Sequence, residues 1–243
     1  MGTVVRERSD KLLPDITRSP VVAAPDGELV RTEVGEILPF AATMELLASF
    51  DIPTAPYIVI NADESVAVPF AGPYVVKLAD VGHRSEHGAV RLAVRPGVLE
   101  AAVNEMRELA SRSSLPQAVA IQPMIQGDGE VFIGIRSGTE LGPVVAFGLG
   151  GVFVEVLGRV SGRLAPMTDA DAREMIDEFD DLKAFGGYRG QTAWSRDDLA
   201  RILVAAGSLG AAGRDWIGTF DINPLVHSPS GFAAVDGLCV VRH

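Results

Sequence analysis

The chain has 243 residues, of which 47% are hydrophobic, so it is long enough to bury a core in one large domain or two small ones. Its formal net charge of -11 argues against nonspecific nucleic-acid binding, which requires basic surface to neutralise phosphates. The single cysteine, Cys239, excludes an intrachain disulfide, and neither a signal-peptide pattern nor a long apolar run is present. We therefore expect a cytoplasmic protein without a membrane partner, in which Cys239 is a buried packing residue.

The first half of the chain predicts a small mixed lobe. Residues 1–35 mix charge, proline and polar residues without a period, which is typical of an extended or partly disordered N-terminal arm. Apolar residues at helical spacing from Leu38 to Phe50 predict a short helix, and Asp51-Ile52-Pro53 ends it. Strands are predicted at 57–60, 74–78 and 90–94, followed by a helix from Pro96 to about Arg112. The predicted small lobe covers residues 36–116.

The second half, residues 117–243, predicts a strand-rich lobe with two helices. Strands are expected at 118–125, 130–135 and 143–147. Thr168 and Ser195 each precede an aspartate at capping-box spacing and predict two helix starts. The chain ends in a predicted hairpin, 217–222 and 232–235, connected through Asn223-Pro224 and the turn 228–231.

Lys77 lies within an apolar predicted strand, where an unpaired ammonium would be costly to bury. It should therefore have an anionic partner, and a phosphate would serve. An edge-strand lysine that reaches solvent explains the same pattern equally well.

Three glycines follow a predicted strand in Phe147-Gly148-Leu149-Gly150-Gly151. Without side chains, the backbone amides of such a segment can approach a phosphate closely. A tight turn between strands explains the same residues. No helix pattern begins after the glycines, so the segment does not match the dinucleotide-binding fingerprint.

Asp221, Asn223 and Asp236 are oxygen-bearing side chains near the predicted C-terminal hairpin. Mg²⁺ binds one or two protein oxygens together with substrate phosphates, so Asn223 and Asp236 are candidate ligands. The alternative is a turn at Asn223-Pro224 and a surface carboxylate at Asp236.

His83 and His87 lie in a polar loop bounded by Gly82 and Gly88. Their spacing would suit a metal on a helix, but the glycines disfavour a helix and no third ligand is near, so we expect no zinc site. An imidazole can also carry a covalent intermediate, although a loop histidine without a catalytic role is the alternative. Arg163 is predicted to lie in a loop, where its guanidinium would suit phosphate oxygens.

Taken in order, these segments resemble the ATP-grasp domain of ADP-forming acyl-CoA synthetases, a family that includes archaeal acetyl-CoA synthetases and, more distantly, succinyl-CoA synthetase. The resemblance runs from Glu36 to Val241. It rests on the Lys77 strand, His83-Arg84-Ser85-Glu86, Gln122-Pro123-Met124, Glu130, Gly142-Pro143, the 148–151 segment, Glu155, Arg163 to Pro166, Tyr188-Arg189-Gly190 and Asp221 to Leu225. It implies an α/β (α+β) fold with two lobes and a nucleotide bound between them.

The resemblance also implies roles for individual residues. The nucleotide would be ATP or ADP, bound with Mg²⁺. His83, as the phosphohistidine, and Arg163 would be catalytic, while Asn223 and Asp236, supported by Asp221, would hold the metal. The ATP-binding residues would be Lys77, Gln122, Pro123, Met124, Ile125, Glu130, Gly148, Gly150 and Gly151.

The implied reaction converts an acid, CoA and ATP into acyl-CoA, ADP and phosphate. The CoA-binding and ligase domains of the family are missing from the sequence, so we expect a partner subunit. The family more often has His-Lys-Ser-Asp at 83–86, Glu at Thr219 and Asp at Arg159, and the last two differences leave weakened activity open. The alternatives are a regulatory nucleotide-binding module and an ATP-grasp ligase that joins a carboxylate to an amine, although the latter has no need of His83.

Overall fold

The structure, a computed structural model, describes residues 4–5, 29–32, 34–82, 84, 88–150, 159–180, 185 and 193–242. The chain divides into two compact units. The small unit comprises Gly27–Thr43 and Ala55–Gln126, and the large unit comprises Met44–Thr54 and Gly127–His243 together with N-terminal residues. The lobe boundary near residue 116 stays a prediction, and most of the predicted N-terminal arm lies outside the described residues.

The small unit contains a four-stranded antiparallel sheet. Its strands are β4 (Ile58–Ile60), β5 (Tyr74–Leu78), β6 (Val90–Val94) and β7 (Val119–Pro123), in the order β4-β7-β5-β6. A hairpin of β2 (Val30–Thr32) and β3 (Gly35–Ile37) precedes helix α1 (Phe40–Ser49). The predicted strands and the helix before Asp51 are confirmed. The sequence pattern misses both strands of this hairpin, β2 and β3, because charged and polar residues interrupt the few apolar ones and leave no period of two.

Helix α2 (Leu99–Ser113) follows a 3₁₀ turn at Pro96–Val98 and covers one face of this sheet. Its buried residues recur at helical spacing and pack against alternate residues of β5 and β7, namely Val76, Leu78, Val119 and Ile121. The residues between these lie on the opposite face, where Lys77 is paired with Ala120 and Val75 with Gln122. Lys77 and Gln122 therefore share the face that α2 does not cover.

The large unit contains a second sheet. Its successive neighbours are β1 (Val4–Val5), β10 (Ser161–Leu164), β9 (Val144–Leu149), β8 (Gly129–Arg136), β11 (Ile217–Ser228) and β13 (Gly237–Val241). β12 (Gly231–Ala234) pairs with the end of β11, on the same side as β13. These pairs are antiparallel, apart from the parallel pair of β1 and β10. The helices and the mainly antiparallel strands confirm the mixed α/β (α+β) class.

Helices α3 (Asp169–Asp177) and α4 (Arg196–Ala212) begin where the sequence predicts. Thr168 Oγ1 accepts a hydrogen bond from the N–H of Asp171 (3.2 Å), and the Asp171 carboxylate accepts one from the N–H of Thr168 (2.8 Å), so the capping box is complete. At the start of α4, Ser195 Oγ accepts a hydrogen bond from the N–H of Asp198 (3.2 Å) and caps the helix through this single bond. In the described part of the chain, every helix is too short or too polar to span a bilayer.

The C-terminal hairpin differs from its prediction at Asn223-Pro224. The sequence pattern places a connection there, but β11 continues through both residues to Ser228 before the chain turns into β12. The register against β8 shifts between Ile222 and Leu225, which marks a β-bulge. A bulge releases a residue from the ladder and so accommodates a proline, which explains why a turn signal lies inside a strand.

Candidate functional site

Lys77 lies in the middle of the small-unit sheet. β5 has β6 on one side and β7 on the other, and Lys77 is 3% exposed, so it is not an edge-strand lysine that reaches solvent. Its Nζ lies 4.4 Å from the centroid of the Phe40 ring. The negative face of an aromatic ring attracts a cation, so Phe40 offsets part of the cost of burying this charge.

Phe40 is fixed at the start of α1 by several contacts. Its N–H donates to Asp80 Oδ1 (2.8 Å), and its ring meets the Tyr57 ring edge to face at 5.3 Å. The guanidinium carbon of Arg84 lies 5.5 Å from the Phe40 centroid, so one ring contacts two cations. Helical spacing identifies Phe40 only as an apolar residue, and no sequence signal points to its contacts with cations far along the chain.

Arg84 is buried at the end of β5. Its Nε donates to the carbonyl oxygen of Leu78 (2.7 Å), and its Nη2 donates to that of Ala79. The Arg84 carbonyl in turn accepts the N–H of Ala89 (2.9 Å). His83, the predicted phosphohistidine, and His87 lie outside the described residues, but the position of the residue directly after His83 is thus known.

Gln122 carries a buried amide donor. The residue is 2% exposed, and its Nε2 makes no hydrogen bond to any residue that the structure describes. An unsatisfied buried donor costs about 1 to 3 kcal/mol, so a ligand with an acceptor atom would stabilise this arrangement. Pro123 ends β7, the N–H of Met124 donates to the carbonyl of Pro73 (2.8 Å), and Ile125 is partly buried in the following segment.

Two of the three predicted glycines, Gly148 and Gly150, lie within β9 and directly after it. Gly148 belongs to β9 itself and pairs with Phe132, so the predicted strand end at Phe147 is too early. The N–H of Gly150 donates to the carbonyl of Glu130 (2.7 Å). A Cβ at Gly150 would lie 2.8 Å from the Cγ and 3.0 Å from the carbonyl oxygen of Glu130, so glycine is required for close packing. Gly151 lies outside the described residues.

Replacing Gly150 should therefore act through Glu130. We expect Gly150→Val to lower the free energy of unfolding by about 1 to 3 kcal/mol through overpacking. Nucleotide-dependent turnover of the folded fraction should fall further, by at least about 10-fold, because misplaced contact residues are costly to catalysis.

The measurement compares melting temperature and turnover with those of Gly97→Val, since a Cβ at Gly97 meets nothing within 4 Å. A Gly150→Val protein that melts much lower but whose folded fraction is fully active would show that this glycine serves packing alone.

The candidate metal ligands lie at the β11 bulge. Asp221 and Asn223 are both exposed on β11. In the pairing of β11 with β13, Asp221 lies opposite Leu238 and Ile222 opposite Gly237. The same register, continued by one residue, places Asp236 opposite Asn223. The N–H of Val235, which donates to the carbonyl of Pro224 (3.2 Å), supports this alignment. Bulges often redirect side chains at functional sites. Among the described residues, no three His, Cys, Asp or Glu side chains group to hold a metal, so phosphate oxygens would have to complete the ligand set.

Arg163 lies in a different setting from the predicted loop. It belongs to β10 and is 5% exposed. Its Nη2 contacts the carboxylates of Glu178 (2.8 Å) and Glu174 (3.4 Å), and its Nη1 donates to the carbonyl of Gly162 (3.0 Å). The prediction of a loop is wrong, because Arg163 lies in a strand. Its ion-pair partners lie on and after α3, and local spacing in the sequence does not reveal them. These contacts hold α3 against β10.

Thr219 and Arg159 are the two positions at which the resemblance leads us to expect carboxylates. Thr219 lies on β11 two residues before Asp221 and so on the same face of the strand. Arg159 precedes β10, and its guanidinium carbon lies 5.5 Å from the centroid of the Phe179 ring.

No sequence pattern reveals the contact between the buried His227 and the partly buried Asp128. His227 Nδ1 lies 2.6 Å from Asp128 Oδ1, and the N–H of Asp128 donates to the carbonyl of His227 (3.0 Å). The imidazole lies against Phe232 and Trp194. Gly129 packs so closely under Trp194 that a Cβ there would lie 2.0 Å from the indole. These contacts fix the segment that leads into Glu130.

Cys239 is buried in β13, as the sequence predicts. Burial raises the pKa of its thiol to about 12, and the negative charge of Asp221 adds to the rise. The thiol is therefore protonated at neutral pH and is a poor nucleophile.

Similar proteins were found by both sequence and structure. The family described as the ATP-grasp domain matches residues 30–241. The beta subunit of ADP-forming acetate-CoA ligase I from Pyrococcus furiosus is 34% identical over 209 residues, which cover 81% of this chain and 88% of that subunit. ADP-forming acetate-CoA ligase I from Archaeoglobus fulgidus is 34% identical over 205 residues, or 81% of this chain, but the match spans only 30% of that longer protein.

Solved structures agree with these matches. Acetyl-coenzyme A synthetase 1 of Ca. Korarchaeum cryptofilum, solved with coenzyme A, Ca-AMPCP and HgCl⁺, is similar with a TM-score of 0.78 and 28% identity, covering 85% of this chain and 93% of that chain. The same enzyme with coenzyme A and Mg-AMPPCP, whose phosphohistidine segment points towards the nucleotide binding site, has a TM-score of 0.63 and 26% identity, with the same coverage.

Proposed function

Because the chain belongs to the ATP-grasp family that includes the beta subunits of ADP-forming acetate-CoA ligases, we propose that it is the nucleotide-binding subunit of an ADP-forming acyl-CoA synthetase. Its fold is the ATP-grasp fold. The observation that carries the proposal is the sheet face shared by Lys77 and Gln122. The Lys77 ammonium is a buried cation, and the Gln122 amide is a buried donor with no hydrogen-bond partner among the described residues. Together they suit a ligand that offers both negative charge and acceptor atoms.

The proposed reaction passes one phosphoryl group through His83. A ring nitrogen of His83 attacks the γ-phosphorus of ATP, the bond to the β-phosphate oxygen breaks, and ADP leaves. A carboxylate oxygen of the acid then attacks the same phosphorus, which breaks the N–P bond and forms an acyl phosphate. The thiol of CoA finally attacks the acyl carbon, and phosphate leaves with the electron pair of the broken C–O bond. The net products are acyl-CoA, ADP and phosphate.

We assign the nucleotide contacts to the residues proposed from the sequence. Lys77 would bind a phosphate, and Gln122 with Pro123, Met124 and Ile125 would contact the adenine. Glu130, Gly148, Gly150 and Gly151 would be further nucleotide contacts. Since the N–H of Gly150 is bonded to Glu130, Gly150 would act by letting Glu130 pack closely.

We propose that the residues at the β11 bulge and opposite it would hold a Mg²⁺ ion. Asn223 and Asp236 offer one amide and one carboxylate oxygen, which are the hard donors that Mg²⁺ prefers, and Asp221 would support them. The bound ion would neutralise phosphate charge during transfer. Arg163 would act mainly by holding α3, because its guanidinium is engaged by Glu178 and Glu174.

The proposal requires further groups that bind CoA and the acid. We propose that a CoA-binding ligase subunit supplies them, since the chain matches 88% of a Pyrococcus beta subunit but only 30% of the longer Archaeoglobus protein. We place this enzyme in the cytoplasm, where ATP and CoA are available.

The direct test is to co-purify the chain with its native partner and to screen carboxylic acids for CoA-dependent formation of ADP. A complex that forms acyl-CoA and ADP supports the proposal. Nucleotide binding without turnover of any acid would favour a regulatory module, and transfer to an amine without CoA would favour a carboxylate-amine ligase.

Lys77→Ala should weaken ATP binding by about 1.5 to 3 kcal/mol, or about 10- to 150-fold, because a hydrogen bond to a charged group is lost. Titration calorimetry measures the change. Lys77→Met is the matched control, since it keeps most of the buried stem but removes the charge, and it should show a similar loss. If both variants bind ATP with wild-type affinity, Lys77 has a structural role and does not bind the nucleotide.

A further inference from the structure

We propose that Phe40 is a positioning residue that orients the two buried cations, Lys77 and Arg84, for phosphoryl transfer. The inference rests on the proposed function, because it takes Lys77 to bind a phosphate of ATP and the residue before Arg84 to accept the phosphoryl group.

The ring of Phe40 is itself immobilised, as a positioning group must be. It is 1% exposed and meets Tyr57 edge to face, while the Tyr57 hydroxyl donates to the carbonyl of Ala41 (3.2 Å). The N–H of Phe40 donates to Asp80, which follows β5 by two residues. This hydrogen bond joins the start of α1 to the end of the strand that carries Lys77. It therefore fixes the position of the Phe40 ring relative to Lys77.

The contact with Lys77 restricts a flexible side chain before any ligand arrives. A lysine has a long stem, and ordering it costs up to about 2 kcal/mol of rotamer entropy. Phe40 holds the ammonium at 4.4 Å through charge and ring quadrupole, which requires no acceptor atom. An ammonium carries three N–H donors, and a phosphate oxygen accepts from them, whereas the contact with a ring face needs no acceptor lone pair.

Phe40 also contacts Arg84, the residue that follows the proposed nucleophile His83 in the chain. The guanidinium donates to the last carbonyls of β5, at Leu78 and Ala79, and its carbon lies 5.5 Å from the Phe40 centroid. Arg84 directly follows His83 in the chain. One aromatic ring therefore contacts the proposed phosphate-binding residue and the neighbour of the proposed nucleophile.

The experiment separates the ring face from simple packing. Phe40→Leu and Phe40→Met keep an apolar side chain but remove the ring, whereas Phe40→Tyr keeps the ring. We expect Leu and Met to raise the Kd for ATP about 2- to 30-fold, the range that corresponds to loss of a cation-π contact, and Tyr to restore affinity. The rate of His83 labelling by γ-labelled ATP at saturation should follow the same order.

Phe147→Leu is the matched control. Phe147 is also fully buried and packs edge to face on Phe179, so its replacement should lower the melting temperature without changing the Kd. Wild-type affinity in Phe40→Leu, or a Tyr variant as weak as Leu, would overturn the inference. A wild-type chain that does not bind ATP would instead overturn the proposed function, so the two failures are distinguishable.

Discussion

His83→Ala is expected to abolish phosphorylation of the chain and to reduce CoA-dependent formation of ADP to background. The physical reason is that the reaction divides into two transfers through a nitrogen nucleophile, and alanine offers no atom that could form the covalent intermediate. Incubation of the wild-type chain with γ-labelled ATP and Mg²⁺, with its partner if needed, should give a label that is acid-labile and base-stable. The variant should bind ADP with nearly unchanged affinity.

His87→Ala is the control for this experiment, because it removes a second imidazole from the same polar segment. It should keep the label and most of the turnover. If His83→Ala, assembled with its partner, still converts acid, CoA and ATP at a rate near that of the wild type, the relay through this chain is wrong, whatever the nucleotide affinity.

Combined replacement of Asn223 and Asp236 by alanine should remove the Mg²⁺-dependent part of nucleotide binding and catalysis. Loss of a bound cation removes several kcal/mol of transition-state stabilisation, so turnover should fall by at least about 1000-fold. In the wild type, ATP with Mg²⁺ at about 100 times its Kd should raise the melting temperature by about 5 to 10 °C through mass action. The double variant should keep only the part of this shift that ATP produces without Mg²⁺.

Asp215→Ala serves as the control for the change in charge, because the Asp215 side chain is 88% exposed. Its Oδ1 makes only a loose surface ion pair with Arg214 Nε at 3.8 Å, which contributes little to stability. Its thermal shift and turnover should match those of the wild type. If the double variant keeps the full Mg²⁺-dependent shift in melting temperature, the metal binds elsewhere. That result would contradict the proposal that Asn223 and Asp236 hold Mg²⁺.

Several elements of the fold could be predicted because their signals are local. Thr168 and Ser195 mark helix starts through hydrogen bonds that span only three residues, and the structure contains both bonds. The strand with Lys77 was predicted from its apolar run, and the burial of Cys239 from its apolar neighbours. The ordered motifs likewise pointed to the ATP-grasp family, and the similarity over residues 30–241 confirms it.

By itself, the sequence determined most of the helices and strands and the residue types that suit a nucleotide, since these depend on neighbours within a few positions. It also determined the family, because the motifs keep their order along the chain. Only the tertiary structure decided that carboxylates on and after α3 hold Arg163, that Asn223-Pro224 lies at a bulge within β11, and that His227 pairs with Asp128. It also brought Phe40 over Lys77 and Arg84. Each of these contacts joins residues or strands far apart along the chain, and burial and register arise from packing between elements, which local periodicity does not contain.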